Sequence, residues 1–96
     1  MKQTTYTTEH VLTKPKSLKE GVLYFMPHYN LAVHRCMCGC GEEVITPIDE
    51  NGGKTPGYWG YTEQKPGTVS LLPSVGNFQL KCRSHYFLKN GKVQWM

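Results

Sequence analysis

Three cysteines spaced two residues apart, Cys36, Cys38 and Cys40, most constrain how this chain can fold. Gly39 and Gly41 lie between and after them, and the only other cysteine, Cys82, stands far downstream in Cys82-Arg83-Ser84-His85. Thiols crowded onto a glycine-bearing turn make poor core residues and good ligands for one soft ion. Zinc suits thiolates best among the common intracellular metals, and four cysteines close a tetrahedral site with no open position. Cys36, Cys38, Cys40 and Cys82 are therefore the first-choice ligands, and Zn2+ a structural cofactor that ties the middle of the chain to its later part. A second ligand set replaces one of the turn cysteines by His85. On a straight strand Cys82 and His85 would face opposite sides, so that set needs a turn between them.

Two other uses of the thiols compete. The C-x-C and C-x-x-H spacing resembles the ligand pattern of Rieske iron–sulfur domains, but Cys38 stands where that cluster needs a histidine. Disulfides fare worse, because Cys36 and Cys38 are too close to pair without strain.

A chain of 96 residues makes one domain and buries only roughly 60–65% of its unfolded surface. A metal cross-link is a usual supplement at this size. The net charge of +4 is spread from Lys2 to Lys92 with no dense block. It reads as a solvated surface rather than a nucleic-acid footprint. No stretch is long and apolar enough for a membrane span, and the N-terminus lacks the apolar region of a signal peptide. Reduced thiols fit a cytoplasmic protein.

The pattern predicts a mainly β fold: a small single-domain antiparallel sheet or hairpin structure stapled by zinc, with little or no helix. Residues 1–20 are polar and threonine-rich and read as an N-terminal arm, loosely ordered or holding one edge strand near Thr5–Leu12. Residues 21–96 form the β domain. Strands are expected at Val22–Met26, at Leu31–Cys36 and at Glu43–Ile48, the last two flanking the cysteine turn as a hairpin. Tyr58–Thr62 is a candidate edge strand. Thr68–Leu72 and Phe78–Cys82 alternate as strands, the latter with Phe78, Leu80 and Cys82 on one face, and Pro73–Asn77 reads as the turn between them. Asn90-Gly91 is the strongest short hairpin signal, with strands on either side.

Polar residues beside the cysteines offer chemistry that a closed thiolate site does not. Ser74 lies in the Pro73–Asn77 turn, where the amides of Val75 and Gly76 can contribute an oxyanion hole. His85 follows Cys82 by three residues, and His34 precedes Cys36 by two. Ser74 with His85 is the candidate nucleophile–base pair; Ser84 is a poor partner, because neighbours on a strand point apart. Glu42, Glu43 or another carboxylate would be the third member. Each residue also has a plain structural reading: Ser74 as a turn former, His85 as a ligand or structural histidine, His34 as a partly buried hydrogen-bonding residue, and Trp59 and Trp95 as core or edge-covering aromatics.

Gly21-Val22-Leu23-Tyr24-Phe25, His34-Arg35-Cys36-Met37-Cys38-Gly39-Cys40-Gly41, Val69 through Asn77, and Cys82-Arg83-Ser84-His85-Tyr86-Phe87 with Gly91 and Trp95 also carry a family resemblance. Over residues 21–96 they resemble a small bacterial and phage family like the BubE-type peptidase of bacterial ubiquitination-like (Bub) operons. Met37 departs from the proline expected in its cysteine turn. The resemblance implies a zinc-stabilised β domain. It also implies a serine peptidase acting on the C-terminal tail or conjugates of a ubiquitin-like protein, with Ser74 as nucleophile and His85 as base. The alternative is a non-catalytic zinc-ribbon-like adaptor that binds protein or nucleic acid through Tyr58, Trp59, Lys81 and Arg83. Residue spacing alone favours the adaptor, and the resemblance favours the peptidase.

Overall fold

A computed structural model describes residues 2–65 and 67–96. Strands β1 (Thr7–His10), β2 (Val22–Met26), β3 (Leu31–Arg35) and β4 (Glu43–Pro47) form one sheet in that order. β5 (Gly60–Lys65) and β6 (Thr68–Leu72) form a two-stranded ladder. β7 (Val75–Gly76), β8 (His85–Lys89) and β9 (Lys92–Trp95) form the third sheet. One 3-10 turn spans Pro27–Tyr29, and there is no α-helix among the described residues. The chain is thus mainly β, and no helix among the described residues is long and apolar enough to cross a membrane.

β2 is a continuous apolar run because both its faces are covered. Leu23 and Phe25 join the main core with Tyr6, Ala32, Val69, Leu71, Val75, Tyr86 and Leu88. Tyr24 and Met26 face the other way and pack with Leu18 and Val33. Alternating strands bury one face and full runs bury two, so the pattern follows the layering. The first twenty residues supply part of both cores. Tyr6 is buried and its hydroxyl donates to the carbonyl of Val69 at 2.8 Å. β1 lies at the edge of its sheet and pairs with β2 in parallel, Thr7 opposite Val22 through His10 opposite Phe25.

β3 and β4 pair antiparallel around the cysteine turn, as the hairpin reading expects. The turn is closed by the Cys36 amide donating to the Glu42 carbonyl at 2.8 Å. Gly39 and Gly41 take φ of 88° and 87°, which side chains disfavour. The Asn90-Gly91 hairpin also forms, with φ of 52° and 78° at its two turn residues. Those angles suit a type I′ turn.

Two expectations are corrected. Pro73–Asn77 is not only a turn, because Val75 and Gly76 pair with Tyr86 and His85. Phe78–Cys82 is not a strand. The Leu80 amide bonds the Asn77 carbonyl, the Arg83 amide bonds the Leu80 carbonyl, and Arg83 takes a left-handed φ of 49°. These successive turns fold residues 77–84 into a loop. Its ends are joined by the Asn77 amide donating to the Ser84 carbonyl at 2.8 Å. Alternation at Phe78, Leu80 and Cys82 is overridden because Cys82 reaches back to the cysteine turn and Asn77 clamps the base of the loop.

Candidate active site

The four thiols converge. The Sγ atoms of Cys36, Cys38, Cys40 and Cys82 all lie within 4.8 Å of one another, an arrangement that can hold a metal ion. The separations are 3.3 Å for Cys36–Cys38 and 3.7 Å for both Cys36–Cys82 and Cys40–Cys82. A tetrahedral ion with metal–sulfur bonds of about 2.3 Å has sulfur–sulfur edges of about 3.8 Å, so the cluster fits. Without a cation the thiols do not ionise together. Hydrogen bonding from Ser84 holds the Cys82 thiol down at about 6, whereas desolvation and the neighbouring thiols push Cys38 up to about 12. A bound cation stabilises all four thiolates at once.

Buried polar side chains line the inner side of the cluster. Ser84 Oγ lies 2.9 Å from Cys36 Sγ, and Asn77 Nδ2 donates to Ser84 Oγ at 3.0 Å and to Cys36 Sγ at 3.6 Å. The Tyr86 hydroxyl accepts from the Met37 amide at 3.3 Å and lies 3.4 Å from Asn77 Nδ2. It sits 2.8 Å from His34 Nε2. His34 is fully buried, and its Nδ1 has no partner among the described residues. Burial pushes its pKa down to about 4, so the ring is neutral. With its lone pairs engaged by two N–H donors, Tyr86 is placed to donate to Nε2. His34 is thus a buried structural residue and lies outside the thiolate cluster.

His85 is not in that cluster either. The chain does turn between Cys82 and His85, but the ring goes to the opposite side, where Ser74 Oγ lies 2.6 Å from His85 Nε2. Ser74 and His85 are both half-buried. Their meeting follows from strand register. Gly76 lies opposite His85, and Ser74, two residues earlier, projects on the same side. Because Asn77 and Ser84 are a hydrogen-bonded pair, antiparallel alternation makes Gly76 and His85 a non-hydrogen-bonded pair. The Gly76 amide therefore points away from β8, toward the open edge of β7, while Val75 is committed to Tyr86. The site is fixed from behind as well. Trp59 Nε1 donates to the Ser74 carbonyl at 3.2 Å, and the Met96 amide donates to the His85 carbonyl at 3.0 Å.

Among the described residues no carboxylate bonds His85. Glu43 is paired with Lys14 instead. The expected third member is absent, and Ser74–His85 stands as a dyad. When the serine hydroxyl donates to Nε2, the proton of the neutral ring resides on Nδ1, the arrangement a general base requires. Sequence reasoning missed Asn77, Tyr86 and Phe78. Asn77 looked like one more turn former, and Tyr86 meets His34 across 52 positions that no local pattern connects.

The fold and site define a small β domain with a cluster of four cysteines that could hold a metal ion and a serine–histidine pair on the outer face of its last sheet. The family model for BubE, the bacterial ubiquitination-like system serine protease, matches residues 10–96, and the chain belongs to that family. No curated protein and no solved structure matches the chain significantly.

Proposed function

We propose that this protein is a serine peptidase acting on the C-terminal tail or conjugates of a ubiquitin-like protein, with Ser74 as nucleophile and His85 as general base. The 2.6 Å contact between Ser74 Oγ and His85 Nε2 carries the reading. Membership of a family described as the serine protease of a bacterial ubiquitination-like system supports the proposed substrate class. His85 Nε2 takes the hydroxyl proton as Oγ bonds the scissile carbonyl carbon. It returns that proton to the leaving group as the carbonyl carbon's bond to it breaks. Water then repeats the exchange and frees Ser74. The outward amide of Gly76 is the candidate donor to the oxyanion, in place of the Val75–Gly76 pair.

Zn2+ is the ion this donor set fits best, held by Cys36, Cys38, Cys40 and Cys82. With its four positions filled by thiolates, zinc supplies architecture rather than reaction chemistry. Its role is to hold the 77–84 loop, and with it the start of β8, against the cysteine turn. Incubation with a fluorophosphonate probe tests the nucleophile. Stoichiometric labelling is expected at Ser74, and none in Ser74→Ala at an unchanged metal content. Cleavage of a ubiquitin-like substrate at full rate by Ser74→Ala overturns the proposal.

A further inference from the structure

Phe78 is the most conspicuous side chain that the chemistry above leaves unused. It is 61% exposed, although large aromatics usually gain by burial. Its ring meets the His85 imidazole edge-on, with centroids 5.3 Å apart. It also lies directly over Gly76: a Cβ built there would stand 2.8 Å from the ring's Cε2 and 3.2 Å from Cδ2. Gly76 does not have a positive φ, so its backbone has no need of glycine. What the position requires is space, and the ring fills that space. Nor does the ring hang on a free loop, since both ends of the 77–84 segment are bonded together and Cys82 joins it to the thiolate cluster.

We propose that Phe78 is a specificity-determining residue, an apolar platform that receives an aliphatic group of the acyl half of the substrate. The inference rests on Ser74 and His85 being the reacting pair. The acyl half is the one assigned because the ring covers Gly76, on the strand that Ser74 immediately precedes, and the acyl group stays bonded to Ser74. The leaving group departs past Nε2. The open side of the ring is then free for a methylene or branched side chain next to the scissile carbonyl. Gly76 is the residue that admits the ring.

The test compares p-nitrophenyl hexanoate with p-nitrophenyl acetate, which share a leaving group and differ only in the apolar length of the acyl chain. Wild type is expected to favour hexanoate in kcat/KM by about tenfold, within the range of small apolar discriminations. Phe78→Ala brings the ratio close to one, and Phe78→Leu keeps most of it. Gly76→Ala lowers the ratio as Phe78→Ala does, because the added methyl displaces the ring. The Phe78→Ala/Gly76→Ala double variant matches Phe78→Ala alone, because the three atoms nearest to that methyl all belong to the ring. A merely structural role for either residue would not give that non-additivity in a substrate ratio. An unchanged ratio in Phe78→Ala, with the metal retained and Ser74 still labelled by fluorophosphonate, overturns the platform alone. A wild type that neither turns over an ester nor accepts the label overturns the serine–histidine reading and the platform with it.

Discussion

His85 and Tyr86 are neighbours on β8, and they serve opposite faces of it. Outward, His85 meets Ser74 in a half-buried setting. Inward, Tyr86 meets His34 in full burial, beside the thiolates. Each side has a histidine with a hydroxyl in hydrogen-bond contact with Nε2, so residue type does not separate them. Access does. Burial leaves His34 neutral down to about 4 and lets nothing reach it, so its contact can only hold structure. The same contact at His85 lies where a carbonyl can approach Ser74. One strand therefore separates the proposed reacting pair from its support by the two-residue period of its side chains.

If that division is right, inward changes cost stability and outward ones cost activity. The largest effect is expected at the metal. Cys82→Ser, or chelation of the wild type, should remove a contribution on the scale of the about 10–16 kcal/mol seen in zinc-finger peptides. That exceeds or matches the total stability of most small domains. Circular dichroism should show loss of the native β signal, reversed in the chelated wild type by added zinc. A chelated protein that stays folded and labels at Ser74 would show that the inward polar network holds β8 without the ion.

Ser74→Ala and His85→Ala should each lower peptidase activity by at least about 10³-fold, with melting temperature and metal content near wild type. An unfolded His85→Ala would blur the division, because it would give the outward residue a structural share.

The third effect is on pH dependence. His34 has a folded pKa of about 4 against 6.5 for a free imidazole. Between those values the unfolded chain binds the proton and the folded one does not. Stability should therefore fall as pH drops from 6.5 to 4, by up to about 3 kcal/mol, and the His34 contribution should level off below 4. Chemical denaturation across that window should show a shallower slope in His34→Gln. Equal slopes would mean that the buried ring is protonated in the fold.

The smallest effect is expected for Tyr86→Phe, which strips the hydroxyl from His34 Nε2 and from the donors of Met37 and Asn77. A loss of about 1–3 kcal/mol, with kcat changed only a few-fold, keeps the two faces apart. A hundredfold drop in kcat would couple them.

Much of this arrangement could be read from the chain alone where the signal is local. Asn90-Gly91 gave its hairpin because only left-handed residues close so tight a turn. The cysteine turn gave the β3–β4 pairing because ligands at that spacing need a bend. Ser74 and His85 were legible as candidates, but their meeting depends on β7, a two-residue strand too short to leave a pattern. Phe78–Cys82 misled because alternation reports which side chains are apolar, not what ties them. A thiolate 42 to 46 positions from its partners outweighs strand propensity over five residues. Asn77 was opaque for the same reason, since its value lies in contacts with Cys36, Ser84 and Tyr86.

The early segment around Tyr6 has one more consequence. The Gln3 carbonyl accepts from Trp95 Nε1, the Val93 amide donates to the Thr4 carbonyl, and the Tyr6 amide donates to the Gly91 carbonyl. The Gln3–Tyr6 segment is thus latched to the β8–β9 hairpin across as many as 92 positions. Chains emerge from the ribosome at about 5–20 residues per second, so these bonds close seconds after the Gln3–Tyr6 segment is made, whereas β1 just beyond it meets β2 far sooner. Until that hairpin is made, the segment's bonds to it stay open. Its run of threonines and lysines, with few apolar residues to aggregate, suits that wait.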